Sequence, residues 1–135
     1  MKEVKFNEKQ KQAFEKLGVS LVYVFGSQVD GTQNKLSDID VGVVFDRKSE
    51  KRNGDTYTKL FDIFTDVFSK YKKVDLVFLQ DTSLMLQSRV VFGGKLIYQG
   101  QDELAEVNYK EFVMKHHADT QYFREMRQRA ILERI

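Results

Sequence analysis

Two aspartates separated by one residue, Asp38 and Asp40, stand at the start of an apolar run that extends to Phe45. Side chains two positions apart on a strand point to the same face of a sheet, so the two carboxylates are expected side by side. Adjacent carboxylates repel each other, and burying them unpaired costs free energy. A bound divalent cation removes that cost, and Mg²⁺, with Mn²⁺ as an alternative, suits hard oxygen ligands of this kind. The pair therefore predicts a metal-binding site.

A third carboxylate and a glycine-serine turn extend the predicted site. Asp75 lies near the start of a later apolar run, residues 74–79, and joins the pair if that strand lies beside the strand of Asp40. Gly26 and Ser27 follow the apolar run over residues 19–25. A glycine there allows close approach of the backbone, whose free N–H groups can receive a phosphate. Together these residues indicate a metal-assisted site that handles phosphate groups.

The elements that must position these residues alternate between strands and helices. Apolar runs rich in β-branched residues predict strands over residues 19–25, 39–45, 74–79 and 95–98. Helical periodicity and end signals predict helices over residues 7–17, 55–71, 82–92 and from 102 to the end. This order predicts an α+β single domain, with a mixed β-sheet of about four strands, packed helices and a long C-terminal helix.

The last predicted helix carries more apolar surface than such a sheet can cover. Its apolar residues fall into two sets: Phe112, His116, Phe123, Met126 and Ala130 form one stripe, and Tyr109, Val113 and Ile131 form the second set. A helix of this length cannot cover both sets against short strands, so part of it is expected to pack on another chain. Residues 102–135 are therefore predicted to be a partner-docking helix.

Length and composition limit the classes of protein that the sequence can encode. The chain has 135 residues, enough for one domain, and its 41% hydrophobic and 31% charged residues are typical of a globular protein. A net charge of +2 does not mark a nucleic-acid-binding protein, and the absence of cysteine excludes disulfides and thiolate sites. No apolar run approaches the length of a membrane span, and the charged N-terminus is unlike a signal peptide. The cytoplasm is therefore the expected compartment.

The spacing of the predicted site residues resembles that of a known superfamily. Gly-Ser, ten residues, Asp-x-Asp and a later strand aspartate resemble the nucleotidyltransferases that include DNA polymerase beta. The small size and the strands VDLVFL and GGKLIYQG are most similar to minimal nucleotidyltransferases, which are antitoxin partners of HEPN-domain toxins in prokaryotes. The resemblance covers roughly residues 15–100 as a catalytic core, and it implies one nucleotidyltransferase domain over residues 1–135.

The resemblance also implies a role for each residue of the site. Gly26 and Ser27 would hold the nucleotide triphosphate, the serine through its hydroxyl. Asp38 and Asp40 would ligate a pair of metal ions, and Asp75 would hold the metal nearer the attacking hydroxyl and help to remove its proton. The implied reaction uses Mg²⁺ or Mn²⁺ and transfers AMP from ATP to a hydroxyl. The expected acceptor is a tyrosine of a cognate HEPN ribonuclease toxin.

The segment between the two halves of the motif leaves an alternative function open. Relatives often follow Gly-Ser with a basic residue, alanine and Arg-Gly, whereas this chain has Gln28, Val29, Asp30 and Gly31. The alternative is an antitoxin that binds nucleotide without catalysis and neutralises its partner by masking it. A small-molecule nucleotidyltransferase of the aminoglycoside-modifying type is a weaker third reading, because such enzymes usually carry a further helical domain. No direct nucleic-acid binding is expected, and a homo-oligomer is left open.

Overall fold

The computed structural model describes residues 4–26, 38–49 and 51–133, and within this part it describes no side chain at 118–127 or 130–133. The helices in the described part are α1 (Glu8–Lys16), α2 (Gly54–Val67), α3 (Leu84–Gly93) and α4 (Ala105–Glu133), and a 3₁₀ turn spans Leu79–Asp81. The strands there are β1 (Val19–Phe25), β2 (Ile39–Phe45), β3 (Val74–Phe78) and β4 (Lys95–Gln99). The predicted helices and strands are thus present, and β1 and β2 have the predicted bounds.

The strands form one mixed sheet in the order β3-β2-β1-β4. β1 pairs antiparallel with β2 and with β4, whereas β2 and β3 are parallel. A parallel pair needs a crossover connection, which α2 supplies between β2 and β3. The structure confirms the predicted α+β fold with a mixed sheet, and it places β3 at the edge of the sheet, directly beside β2.

One face of the sheet is covered by α1 and α2. The Asn7 side chain caps α1 by accepting a hydrogen bond from the Gln10 N–H, and the Gln10 side chain accepts one from the Asn7 N–H. Phe14 of α1 and Phe64 of α2 are fully buried, and their rings stack with centroids 5.6 Å apart. This face holds the larger core, to which β2 contributes Ile39, Val41 and Val43.

The second helix ends earlier than its apolar pattern predicts. It stops at Val67 rather than at residue 71, because Phe68 leaves helical geometry with φ −104° and ψ 37°. Phe68 is nevertheless buried, and the Tyr71 ring meets it edge-on with centroids 5.9 Å apart. The apolar spacing continues past the end of α2 because apolar residues mark buried positions. The turn after α2 is buried in part, as the helix is, so the spacing alone does not show where the helix ends.

The opposite face of the sheet carries a second core beneath α3 and α4. Its buried side chains come from strands and helices alike: Leu21, Tyr23, Val44, Leu79, Val90, Val91, Ala105, Tyr109 and Val113. The Tyr109 hydroxyl donates a hydrogen bond to Gln87 Oε1 at 2.8 Å and so ties α4 to α3. β2 is therefore buried on both faces for most of its length, and Asp40 is its one residue that is only partly buried.

The two apolar sets of the last helix have different environments. Tyr109 and Val113 pack on the sheet, whereas Phe112 of the other stripe is 36% exposed and its ring contacts that of His116. The further members of both sets, at residues 123, 126, 130 and 131, lie outside the described side chains. Within the described residues, no helix combines the length and apolarity that a membrane crossing requires.

Candidate active site

The pairing of β2 with β3 brings two of the predicted site carboxylates together. Asp40 and Asp75 are register partners in this parallel pair, so their side chains leave the same face of the sheet. Neighbouring strands lie about 4.8 Å apart, which puts the two carboxylates within direct electrostatic range. The condition on which the sequence argument depended, that the strand of Asp75 lies beside that of Asp40, is met.

Asp38 adds a third negative charge just before β2. It is exposed, whereas Asp40 is partly buried. Burial raises the pKa of Asp40 above its ordinary value of 3.8, and the charges of Asp75 and Asp38 raise it further. The three carboxylates therefore form one electrostatic cluster at the start of β2 and β3.

A lysine lies against the third carboxylate. Lys73 Nζ is 3.3 Å from Asp75 Oδ1, and the two side chains are 66% and 40% exposed. Lys73 is not among the site residues predicted from the sequence. The spacing Lys-x-Asp could have identified it, because residues two apart at the start of a strand share a face.

Gly26 borders the same cluster from the end of β1. Its neighbour Phe25 is the register partner of Asp40 in the antiparallel pair. Gly26 has φ +83°, in the left-handed region that favours glycine, and a Cβ atom built on it would collide with Asp40 Oδ2. A glycine at this position therefore leaves room for the Asp40 carboxylate. Ser27 and the segment from Gln28 to Gly31 lie outside the described residues.

The carboxylates of Asp38, Asp40 and Asp75 are suitable ligands for a hard divalent cation, although in this structure they do not point toward a common position. Within the described residues, no group of three or more potential ligands is close enough together to hold a metal ion. Asp75 is turned toward Lys73, and Asp38 is exposed. Carboxylate oxygens are nevertheless the ligands that Mg²⁺ prefers, and a cation would relieve the repulsion that raises the pKa of Asp40.

A separate cavity of about 830 Å³ lies at the other end of β2. Its lining joins the segment after β2 to α4 and includes Arg47, Lys48, Arg52, Tyr109, Phe112 and Lys115. Phe45, which also lines it, is five residues from Asp40 along the strand, or about 17 Å. Among the described residues that line the cavity, none belongs to the predicted site. The candidate active site is therefore the carboxylate cluster, where the predicted site residues Asp38, Asp40 and Asp75 lie near one another.

Comparison with known proteins gives the family. Residues 8–103 match the family described as polymerase beta, nucleotidyltransferase. A search of curated protein sequences finds no match. The fold is similar to that of a chain in a crystal structure of a toxin-antitoxin with AMP-PNP, at 22% identity and a TM-score of 0.65, covering 93% of this chain and 99% of that chain.

Two other solved structures are similar in the same way. One is the toxin-antitoxin MntA-HepT, at 20% identity and a TM-score of 0.57, with 93% of this chain and 99% of that chain covered. The other contains a tri-AMPylated Shewanella oneidensis HEPN toxin in complex with MNT antitoxin, at 23% identity and a TM-score of 0.50, with 90% and 98% covered. At these identities the likeness establishes the fold. The family match includes Gly26, Asp40 and Asp75 and covers most of the sequence, and the chain therefore belongs to the polymerase beta nucleotidyltransferase family.

Proposed function

We propose that this nucleotidyltransferase transfers AMP from ATP to a hydroxyl of a HEPN-type toxin and thereby acts as its antitoxin. One observation carries the proposal: Asp40, Asp75 and Gly26 meet on one face at the ends of three neighbouring strands. The family membership supports nucleotidyl transfer. The similar toxin-antitoxin structures, one with AMP-PNP and one with an AMPylated toxin, support the choice of nucleotide and acceptor. The cytoplasm is the compartment in which we expect this activity.

The order of the strands suggests which side of the site binds ATP and which side receives the acceptor hydroxyl. Gly26 follows β1 on one side of β2, whereas Asp75 lies on the edge strand β3 on the other side. We assign the triphosphate to Gly26 and the residue that follows it, Ser27, because a glycine with this backbone leaves no side chain in the way. The acceptor hydroxyl then approaches from the side of β3. A tyrosine hydroxyl presented there would meet Asp75 first.

Asp38, Asp40 and Asp75 would hold Mg²⁺, with Mn²⁺ as the alternative. When bound, the cation would stabilise the negative charge that develops on the phosphate oxygens. Asp75 would receive the proton of the acceptor hydroxyl, whose oxygen forms a bond to the α-phosphorus of ATP. The bond from that phosphorus to the oxygen that bridges the α- and β-phosphates of ATP would break, and pyrophosphate would leave with the electron pair.

A second candidate function is neutralisation of the toxin by masking alone. The observation that favours it is the ion pair between Lys73 and Asp75, which occupies the carboxylate that catalysis needs. The substituted segment from Gln28 to Gly31 favours it as well. In this reading the chain binds its partner, and the nucleotide site is idle.

The two functions differ in the amount of this protein that is needed to inactivate a given amount of toxin. The test incubates a HEPN-type toxin with ATP, Mg²⁺ and this protein in substoichiometric amounts, and then measures the ribonuclease activity of the toxin. The enzyme should inactivate a molar excess of toxin, and Asp40→Asn should not. A requirement for equimolar protein, unchanged by Asp40→Asn, would contradict the transfer reaction and support masking.

We propose that α4 docks the toxin. Leu104, just before the helix, and Val107 and Met114 within it are 60%, 51% and 57% exposed. Val107 and Met114 are two helical turns apart and lie on the side of α4 opposite the buried Tyr109 and Val113. Exposed apolar rows of this kind mark protein contacts. The toxin is the chosen occupant because the similar solved structures are toxin-antitoxin complexes.

A charged residue within this row should weaken docking without touching the active site. Val107→Asp should lower the affinity for the toxin, measured by calorimetry, because burial of an unpaired carboxylate opposes association. Thr58→Asp is the matched control, since Thr58 is exposed on α2, which covers the other face of the sheet. Equal affinities for the two variants would contradict the docking proposal.

A further inference from the structure

Lys73 occupies a defined place in the carboxylate cluster. The Ile39 N–H donates a hydrogen bond to the Lys73 carbonyl oxygen at 2.9 Å, and Ile39 is the register partner of Val74. Asp75 lies opposite Asp40 in this register, and continuing the register by one step past Ile39 and Val74 would set Lys73 opposite Asp38. Three carboxylates and one ammonium group therefore form two adjacent rows on one face.

The ammonium of Lys73 and a divalent cation compete for the same oxygen atoms. Lys73 Nζ is 3.3 Å from Asp75 Oδ1. At this distance the ammonium group partly neutralises the Asp75 carboxylate in the absence of a metal ion. An ammonium group has no lone pair with which to ligate a cation, and its charge repels one nearby. A cation bound to Asp75 would therefore lie close to the Lys73 ammonium as long as that ion pair persists, and their like charges would weaken its binding.

Resting on the proposed function of the cluster, we propose that Lys73 is a positioning residue that keeps Asp75 from the divalent cation until nucleotide binds. The triphosphate of ATP brings negative charge to the site, which attracts the cation and offers the Lys73 ammonium another partner. The Lys73 side chain is 66% exposed, so it can turn from Asp75 to a phosphate without disturbing the core. Cation binding thus becomes conditional on nucleotide.

An exposed ion pair with no role in cation binding would behave differently. Exposed pairs contribute little to folding stability, and removing a pair without such a role would leave the affinity for the cation unaltered. If the pair opposes cation binding, removing the Lys73 charge would raise the affinity for the cation. The affinity for a cation in the absence of nucleotide therefore separates the two roles, and it does so without any measurement of catalysis.

The experiment measures Mn²⁺ binding by titration calorimetry at low ionic strength, with the full chain, in the absence and presence of a non-hydrolysable ATP analogue. Lys73→Met and Lys73→Gln remove the charge and retain the length of the stem in part. Both should tighten Mn²⁺ binding without nucleotide by about three- to tenfold and reduce the gain that the analogue confers. Lys73→Arg keeps the charge and should resemble wild type. Lys72→Met, at the adjacent exposed lysine, is the matched control and should also resemble wild type.

Two different failures can be told apart. If the wild type binds Mn²⁺ with the analogue, but Lys73→Met and Lys72→Met have the same affinity without it, the inference about Lys73 is overturned and the proposed metal site stands. If no variant binds Mn²⁺ even with the analogue, the proposed function of the carboxylate cluster is overturned. A tightening in Lys73→Met and Lys73→Gln alone supports the inference.

Discussion

Gly26→Ala tests whether the turn after β1 is shaped for the Asp40 carboxylate. The substitution makes two changes at once. It places an alanine at φ +83°, where side chains other than glycine are strained, and it puts a methyl group where Asp40 Oδ2 now lies. The strain acts on folding stability, whereas the collision acts on the position of the carboxylate.

The two changes differ in size and in consequence. Left-handed backbone costs a residue other than glycine about 1–2 kcal/mol. The collision is with the end of a side chain, so Asp40 can relieve it by rotating, and the total loss should be about 1–3 kcal/mol. For a domain of this size the melting temperature should fall by about 3–10 °C. The rotated carboxylate can no longer lie in line with Asp75, so cation-dependent ATP binding should be lost.

Gly18→Ala provides the matched control. Gly18 has φ +77°, and a Cβ atom there would collide with the Ser49 hydroxyl, remote from the carboxylates. Thermal unfolding followed by circular dichroism should show comparable losses for the two variants, while calorimetry should show Mg²⁺-dependent ATP binding only for Gly18→Ala. Retention of that binding by folded Gly26→Ala would refute the argument that Gly26 makes room for Asp40.

Three further predictions concern the carboxylates and the second core. Asp40 has a raised pKa, so the folded state retains a proton that the unfolded state releases, and metal-free stability should fall as the pH rises from 3.8 through that pKa. Asp40→Asn should therefore raise the melting temperature more at about pH 7 than at about pH 4, and an equal effect at both would contradict this sign. Asp75→Ala should lower the rate of AMP transfer far more than the affinity for ATP, because its role falls on the transition state; equal losses would make it a binding ligand only. Tyr109→Phe should cost about 1–3 kcal/mol in urea unfolding, since it leaves Gln87 Oε1 without its donor. Tyr23→Phe should change stability by less than about 0.5 kcal/mol, because the buried Tyr23 hydroxyl faces Glu106 without a well-formed hydrogen bond among the described residues; similar losses would contradict the distinction.

The strands and the carboxylate motif could be predicted because their signals are local. β1 and β2 are mostly apolar segments rich in valine, and their bounds follow from that local composition. The pairing of Asp40 with Asp75 depends on a parallel register set by the packing of α2, which no local pattern specifies. Sequence reasoning could therefore name Asp75 only as a conditional member of the site.

The last helix illustrates the limit of periodicity on its own. Phe112 and Tyr109 lie on overlapping stripes, and the pattern of apolar residues does not say which stripe meets the sheet. In the structure Ala105, Tyr109 and Val113 pack on the sheet, and the Tyr109 hydroxyl donates a hydrogen bond to Gln87 on α3, a contact that the helical period does not specify. Lys73 was missed for a related reason, because a lysine before a strand is common and only the register with β2 gives it a role.

We propose that the carboxylate cluster catalyses transfer of AMP to a partner toxin. The most direct measurement is the intact mass of a HEPN-type toxin after incubation with this protein, ATP and Mg²⁺. The toxin should gain one or more adenylyl groups on tyrosine with the wild-type protein and none with Asp40→Asn, although both proteins bind it. An unmodified toxin in a stable complex with the wild-type protein would contradict the claim.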